Sequence, residues 1–416
     1  VSVKKNQHSA VLAGLDMGTS KICAVISRLN HNKQLEILGT GYVPSRGIRK
    51  GVVVNLEQAA ASAQAAIEKA ELQAGLRVDG VLLGVSGGHI ESTTSKGVIA
   101  ISVHKEITEN DIRRVIDAAA AVVIPPDREI IHVLPQDFAV DDEPGVKDPV
   151  GMTGSRLEVR VHIITVAAAA VSNLIKSIYK AGFDTADIIL KTLASARAVV
   201  SEEEKEDGCV LIDIGAGTTD FVVFLNGGMR HTGQISIGGN HITNDISYGM
   251  KTTMHIAEKI KCQFGSAIAV AVPMKEQFEI PNPTGRSERW ESRRILAEII
   301  QPRLEEILFL INEEIEKTGL KPRLSAGIIL TGGVSCTENI ENLAAEIFQV
   351  PVRIGYPLNI SGLNEFVVDP ACSTATGLSL YVAHYIPKSG SMSSPDEDRN
   401  FQTIVNRIQD WFNEFF

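Results

Sequence analysis

Two short acidic hairpins hold the residues of this chain best suited to chemistry. The first is Asp16-Met17-Gly18-Thr19-Ser20-Lys21 and the second is Asp213-Ile214-Gly215-Ala216-Gly217-Thr218-Thr219-Asp220. Each follows an apolar run, VLAGLD or CVLIDI, that reads as a buried strand delivering its Asp to a tight turn. Glycine there lets the backbone approach a ligand closely. The Thr and Ser hydroxyls and the neighbouring amides can donate to phosphate oxygens. A third element, Gly332-Gly333 after GIILT, presents no side chain, so a flat ring or a phosphate can come close. One D-x-G-x-T hairpin alone is also an ordinary β-turn. Two copies in matching contexts, with a strand-Gly-Gly element, are far more specific. Facing each other, the two Asp residues can hold a triphosphate and a hydrated Mg2+, which prefers oxygen ligands and keeps several waters. The chain has neither a G-x-x-x-x-G-K-[ST] loop nor a G-x-G-x-x-G after a first strand.

The elements that carry these hairpins repeat. Residues 11–16, 21–28 and 35–41 read as three strands, followed by an Ala-rich helix over 56–74 with Asn55 as N-cap and a buried strand at 81–86. Residues 209–214, 219–225 and 229–237 repeat the three-strand pattern, and another strand follows at 327–331. A strand-turn-strand duplication roughly 200 residues apart predicts two related α/β halves across a cleft. The segment 84–162 differs in character. It runs from the Gly/Ser/Thr-rich GVSGGHIESTTSKGV through a charged helix (108–121) and a Pro-rich acidic loop region (124–149) to a strand (156–165). It reads as an inserted subdomain.

The chain has 416 residues, 44% apolar and 22% charged, enough for more than one core. Its net charge of −10 argues against sequence-independent nucleic-acid binding, which needs a basic face. Five scattered cysteines with no metal spacing read as reduced thiols. The polar N-terminus lacks the apolar core of a signal peptide, and the longest apolar stretch, 161–175, is too short and broken to span a bilayer. A cytoplasmic protein is expected, unless its end attaches it to a membrane.

That end is informative. Residues 387–399 are rich in Ser and acidic residues and read as a flexible linker. In 400–416, Phe401, Ile404, Val405, Ile408, Trp411, Phe412, Phe415 and Phe416 share one helix face. The helix would be about 25 Å long, and its aromatic face suits a lipid interface. Its polar face carries Arg407 against Asp410 and Glu414, so insertion would be mainly hydrophobic, and self-association would firm it by multivalency. Docking on a protein surface is the other reading.

The paired hairpins and the later TGG resemble the nucleotide signature of the actin superfamily, which includes large heat-shock chaperones and sugar kinases. Within it, the chain is similar over nearly its whole length to the FtsA family of bacterial actin-like cell-division proteins. The similarity lies in GVSGGHIES, SIGGNHITNDIS (236–247), AEKIK (257–261), LTGG and DPACSTATGLSLY (369–381). It implies an α/β actin-like fold of two duplicated ribonuclease H-like halves around a nucleotide cleft, with an inserted α+β subdomain. The first half would comprise 1–83, 163–195 and about 366–386, and the insert 84–162. The second half would have its core in 196–235 and 304–365 and an upper subdomain in 236–303.

The resemblance also implies ATP and Mg2+ as ligands. Asp16, Gly18, Thr19, Ser20 and Lys21 would form one phosphate loop, and Asp213, Gly215, Gly217, Thr218 and Thr219 the other. Asp16 and Asp213 would serve Mg2+ directly or through water. Gly238, Gly239 and Asn240 match a connecting loop. Glu258 and Lys261 match a pair reaching ribose and adenine, although their i,i+3 spacing also suits a solvated ion pair. Gly332 and Gly333 would underlie adenine. In vigorous hydrolases of the superfamily, the helix connecting the halves carries an acid or amide that orients water. Here that stretch, Ile188-Ile189-Leu190-Lys191-Thr192-Leu193-Ala194-Ser195, has none. Slow turnover is therefore expected, with no assigned catalytic residue.

The most cationic short stretch, 286–303, contains Arg286, Arg289, Arg293, Arg294 and Arg303. It reads either as a solvated ion-paired helix or, by the resemblance, as a receptor for the acidic tail of FtsZ, the tubulin-like division protein. Arg suits carboxylates through its planar fork. The resemblance further implies self-assembly into filaments, contacts with other division proteins through 84–162, and a place on the inner face of the cell membrane at the division site. A sugar or acid kinase and an actin-like pilus-assembly adaptor are the alternatives.

Overall fold

The structure is a computed structural model that describes residues 11–30, 34–102, 105–280, 289–358, 360–362 and 369–384. Two sheets with the same construction carry the hairpins. In the first, Leu12–Met17 pairs antiparallel with Lys21–Leu29, which pairs antiparallel with Leu35–Pro44. On its other side Leu12–Met17 pairs parallel with Gly80–Val85, and that strand with Asp184–Leu190. In the second, Cys209–Ile214, Thr219–Leu225 and Gly228–Ile235 form the antiparallel run. Gly327–Thr331 and then Val352–Ile354 add parallel to Cys209–Ile214. Strand for strand the two orders match, as a duplicated α/β fold requires.

The reason lies in the strands' composition. Leu12–Met17 and Gly80–Val85 are buried at every position, as central strands covered on both faces must be. The helix Leu56–Ala74 starts where Asn55 accepts from the Gln58 amide at 3.0 Å and ends at Gly75 in the left-handed region. Its small side chains let it lie close on the first sheet, against Gly39 and Gly41.

The insert has its own core. Ile90–Ala100, Arg156–Ala167, Arg128–Val140 and Glu143–Val146 form an antiparallel sheet. The helix Glu109–Ala120, opened by a capping box at Thr108, buries Ile112, Val115, Ile116 and Ala119 against it. Gln136 donates to the Met229 carbonyl at 2.7 Å, Arg230 pairs with Asp137 at 3.1 Å, and His162 Nε2 lies 3.3 Å from Thr232 Oγ1. These contacts join the insert to the outer strand of the second sheet.

Several expected boundaries fall inside elements. Ile188–Leu190, expected on the connecting helix, ends the strand Asp184–Leu190, and the helix begins at Lys191. The β-branched Ile188 and Ile189 suit a strand beside Gly80–Val85. The division at 303/304 cuts one continuous helix, Arg293–Lys317. Ile360–Gly362, expected in the second half, pairs parallel with Leu35–Ile37 on the first sheet. Among the described residues the chain thus passes between the two sheets twice, after Lys191–Val199 and again between Ile354 and Ile360. The final described helix, Ser373–His384, lies on the first sheet and meets Lys191–Val199 where Gly377 faces the Ala194 carbonyl too closely for any side chain.

Among the described residues no helix is long and apolar enough to cross a membrane. The expected linker 387–399 and the whole amphipathic helix, Phe401, Ile404, Val405, Ile408, Trp411, Phe412, Phe415 and Phe416, lie outside the described residues.

Candidate functional site

Asp16 and Asp213 occupy equivalent places. Each is the last but one residue of the first strand of its sheet, paired across the hairpin with Cys23 or Asp220. The loops after them meet. A side chain on Gly217 would put its Cβ 2.7 Å from Thr19 Oγ1, so only glycine lets the two loops approach this closely. Gly332 sits at φ +86°, and a Cβ there would strike Asp213 Oδ1 and lie 2.6 Å from the Ile214 carbonyl oxygen. The second hairpin thus packs closely against the loop of the first at Thr19 and against the Gly332 turn at Asp213. Gly333 is roomier, with Ala371 Cβ nearest at 3.8 Å.

The second hairpin is held from behind. Gly239 and Asn240 donate their amides to the Gly215 and Ala216 carbonyls at 2.9 and 2.8 Å, fixing the loop that begins at Gly238. Thr219 is buried and donates to the Ile237 carbonyl at 2.9 Å. Thr218 donates to Asp220 Oδ2 at 2.8 Å. These two hydroxyls, expected to face phosphate, are thus occupied within the loop. Lys261 donates to the Gly239 carbonyl, Thr243 Oγ1 and Glu258 Oε2 at 3.1, 2.9 and 2.7 Å. Glu258 and Lys261 do pair, but the pair is anchored on the glycine loop and Lys261 is nearly buried. The Lys21 ammonium lies 5.3 Å above the Tyr42 ring, and Ser20 is exposed.

The acids are electrostatically strained. Burial raises the pKa of Asp213, against the hydroxyls of Ser195 and Thr374, which donate to its Oδ2 at 2.8 and 3.2 Å. Burial pushes Asp220 up to about 7, opposed by the Thr218 hydroxyl and reinforced by the nearby charge of Asp213. Lys191 relieves part of this. Its ammonium lies 2.7 Å from Asp16 Oδ1 and donates to the Met17 carbonyl at 2.8 Å.

Buried carboxylates beside glycine-bearing loops can meet a polyphosphate only if a cation accompanies it. Asp16 and Asp213 are the carboxylates that can serve a hydrated Mg2+ there. Among the described residues no group of three or more His, Cys, Asp or Glu is placed to hold a metal unaided, so phosphate oxygens would have to complete the shell.

Lys191, Ser195, Asp220 and Thr374 escaped selection as site residues. Lys191 and Ser195 are one turn apart on one helix face, a spacing visible in KTLAS. Asp220 closes the hairpin motif itself, and Thr374 lies in STATG.

The cationic stretch is divided. Arg286 lies outside the described residues. Arg289 is on the strand Arg289–Ser292 and pairs with Glu291 at 2.6 Å. Arg293 pairs with Glu276 at 2.8 Å and with Glu338, Arg294 with Glu298 at 3.6 Å, and Arg303 with Asp245 at 2.7 Å and with Glu306. Every described arginine of the stretch already has a carboxylate.

Comparison with known proteins gives the family. Residues 210–377 match the family model described as cell division protein FtsA, and residues 87–165 match the SHS2 domain inserted in FtsA. The chain is 41% identical over 411 residues to the cell division protein FtsA of Pseudomonas aeruginosa, covering 97% of this chain and 98% of that protein. It is 43% identical to that of Borreliella burgdorferi, again covering 97% and 98%, and 36% identical to that of Escherichia coli K12, covering 98% of each. Among solved structures, it is similar to a PilM-PilN type IV pilus biogenesis complex (TM-score 0.64, 17% identity, 90% of this chain and 99% of that one). It is also similar to MreB5 of Spiroplasma citri bound to ADP (TM-score 0.54, 16% identity, 90% and 98%). These distant likenesses bear on the fold, which is actin-like, whereas the near-complete coverage at 36–43% identity decides kinship: the chain belongs to the FtsA family of cell-division proteins.

Proposed function

We propose that this FtsA-family chain binds ATP with Mg2+ between its two acidic hairpins, self-assembles, and ties FtsZ filaments to the cytoplasmic membrane through residues 400–416. The observation that carries the nucleotide part is the close approach of Gly217 to Thr19 and of Gly332 to Asp213, which brings the two acidic hairpins and the glycine turn together. Mg2+, when bound there, would neutralise phosphate charge that the acids alone would repel. The adenine side would lie toward Gly332, Gly333, Glu258 and Lys261, and the glycine loop 238–240 would close the phosphate side. The structure known as MreB5 of Spiroplasma citri carries ADP, which agrees with this assignment.

The attachment reading draws on the helical spacing of the eight apolar residues in 400–416 and on the Ser-rich, acidic sequence before them. The insert is the candidate surface for self-association and for other division partners. The 286–303 region is the candidate for the FtsZ tail, whose acidic groups would have to compete with the carboxylates that already pair with its arginines. A kinase or a pilus adaptor is not favoured, since the relatives that match over nearly the whole chain are cell-division proteins.

Liposome flotation tests attachment. The full chain should float with anionic vesicles and a chain ending at Arg399 should not, with the difference larger in ATP and Mg2+. Equal flotation of both removes the tethering role. Asp213→Ala should weaken ATP binding, and unchanged affinity removes the hairpin assignment.

A further inference from the structure

Lys191 is the first residue of the helix Lys191–Val199. Its side chain and that of Asp16 are 11% and 12% exposed, so their 2.7 Å contact is shielded from water. The ammonium spends its aligned hydrogen bond on the Met17 carbonyl, and Asp16 Oδ1 is held by charge without one. One tethered cation therefore already occupies the carboxylate that would serve a metal on the first hairpin.

Two cations cannot share that place at low dielectric. A divalent ion arriving alone would have to displace the ammonium, and the described residues offer no group of three or more ligands to hold it afterwards. Phosphate changes the balance. A lysine is a point charge on a flexible stem with three donors, so it can exchange one carboxylate for phosphate oxygens without leaving the site. Ser195, one turn along the same helix face, keeps its bond to Asp213 meanwhile.

We propose that Lys191 is a built-in counter-cation that keeps free divalent metal out of the nucleotide-free cleft and turns from Asp16 to the phosphates when nucleotide enters. The second step rests on the nucleotide reading above; the first does not. Metal then enters with the nucleotide, never ahead of it.

The test is titration of the nucleotide-free full chain with Mn2+, followed by electron paramagnetic resonance, for the parent, Lys191→Gln and Lys191→Arg. The Gln variant should bind Mn2+ at least roughly tenfold tighter than the parent, and the Arg variant should stay like the parent. Equal Mn2+ affinity in the parent and the Gln variant overturns the proposal. If the Gln variant does not fold, Lys191→Met takes its place with the same expectation, and Mn2+ uptake by the parent without ATP overturns the proposal as well. A second arm compares ATP binding in EDTA and in Mg2+. The parent should lose a few-fold in EDTA and Lys191→Gln about tenfold or more. Equal losses overturn the second step. If no form binds ATP in either buffer while the Mn2+ contrast holds, the nucleotide reading and the second step fall, and the metal-excluding role stands.

Discussion

Ser195 Oγ donates to Asp213 Oδ2 at 2.8 Å, which ties the second acidic hairpin to the helix whose first residue grips Asp16 of the other. Thr374 is the second donor to the same oxygen, and its hydroxyl lies 2.9 Å from that of Ser195. Ser195→Ala therefore leaves a buried carboxylate with its weaker partner. The expected loss is about 1–3 kcal/mol in urea denaturation of the nucleotide-free chain. No loss would mean that Asp213 is protonated in the folded protein and does not depend on the bond.

Gly332 and Gly333 separate strain from simple bulk. Gly332→Ala forces a side chain into φ +86° and against Asp213 and Ile214, so it should cost about 1–3 kcal/mol and weaken ATP binding. Gly333→Ala meets nothing nearer than 3.8 Å and should stay within about 0.5 kcal/mol of the parent in the same urea denaturation. Equal effects would show that the Gly332 conformation does not matter.

The raised pKa of Asp220 makes the nucleotide-free protein sensitive to alkali. Its folded pKa of about 7 lies above the ordinary 3.8, so between those values the folded protein keeps a proton that the unfolded chain has lost. That contribution is complete below 3.8 and disappears as pH rises through about 7. Asp220→Asn should therefore stabilise the nucleotide-free chain at pH 8 relative to the parent, with the advantage shrinking toward pH 5. Parallel melting curves across that range would contradict the assignment.

His162 has the opposite sign. Burial, with the nearby His231, lowers its pKa from 6.5 to about 4. The neutral ring's contribution is present above 6.5 and is lost as pH falls toward about 4. Because His162 joins the insert to the second half beside Thr232, amides of Gly228–Ile235 should lose hydrogen-exchange protection in that window. His162→Gln should flatten the dependence. An unchanged profile would place the acid-sensitive group elsewhere.

The hairpins and the duplication could be read from the sequence because their signal is local. An all-apolar strand, an Asp and a glycine turn lie within a few consecutive residues, and the helix 56–74 announces both its ends through Asn55 and Gly75. Lys191 gave no such signal. Its partner Met17 is 174 residues away, and only the parallel alignment of Asp184–Leu190 in the sheet brings the two together. Ile188-Ile189-Leu190 read as helix because a short apolar run has no decisive period. The return of Ile360–Gly362 to the first sheet was equally hidden, since three residues carry no pattern. The arginines show the converse limit. Their charge was evident in the sequence, but which carboxylates already hold them depended on Glu276, Glu338 and Asp245 arriving from other elements.

Among the described residues the chain crosses between the two sheets twice, and the insert ties them a third way through Gln136, Arg230 and His162. Two ties alone would leave a line to turn about; the third adds resistance, so any relative turning of the two sheets also has to strain these polar contacts.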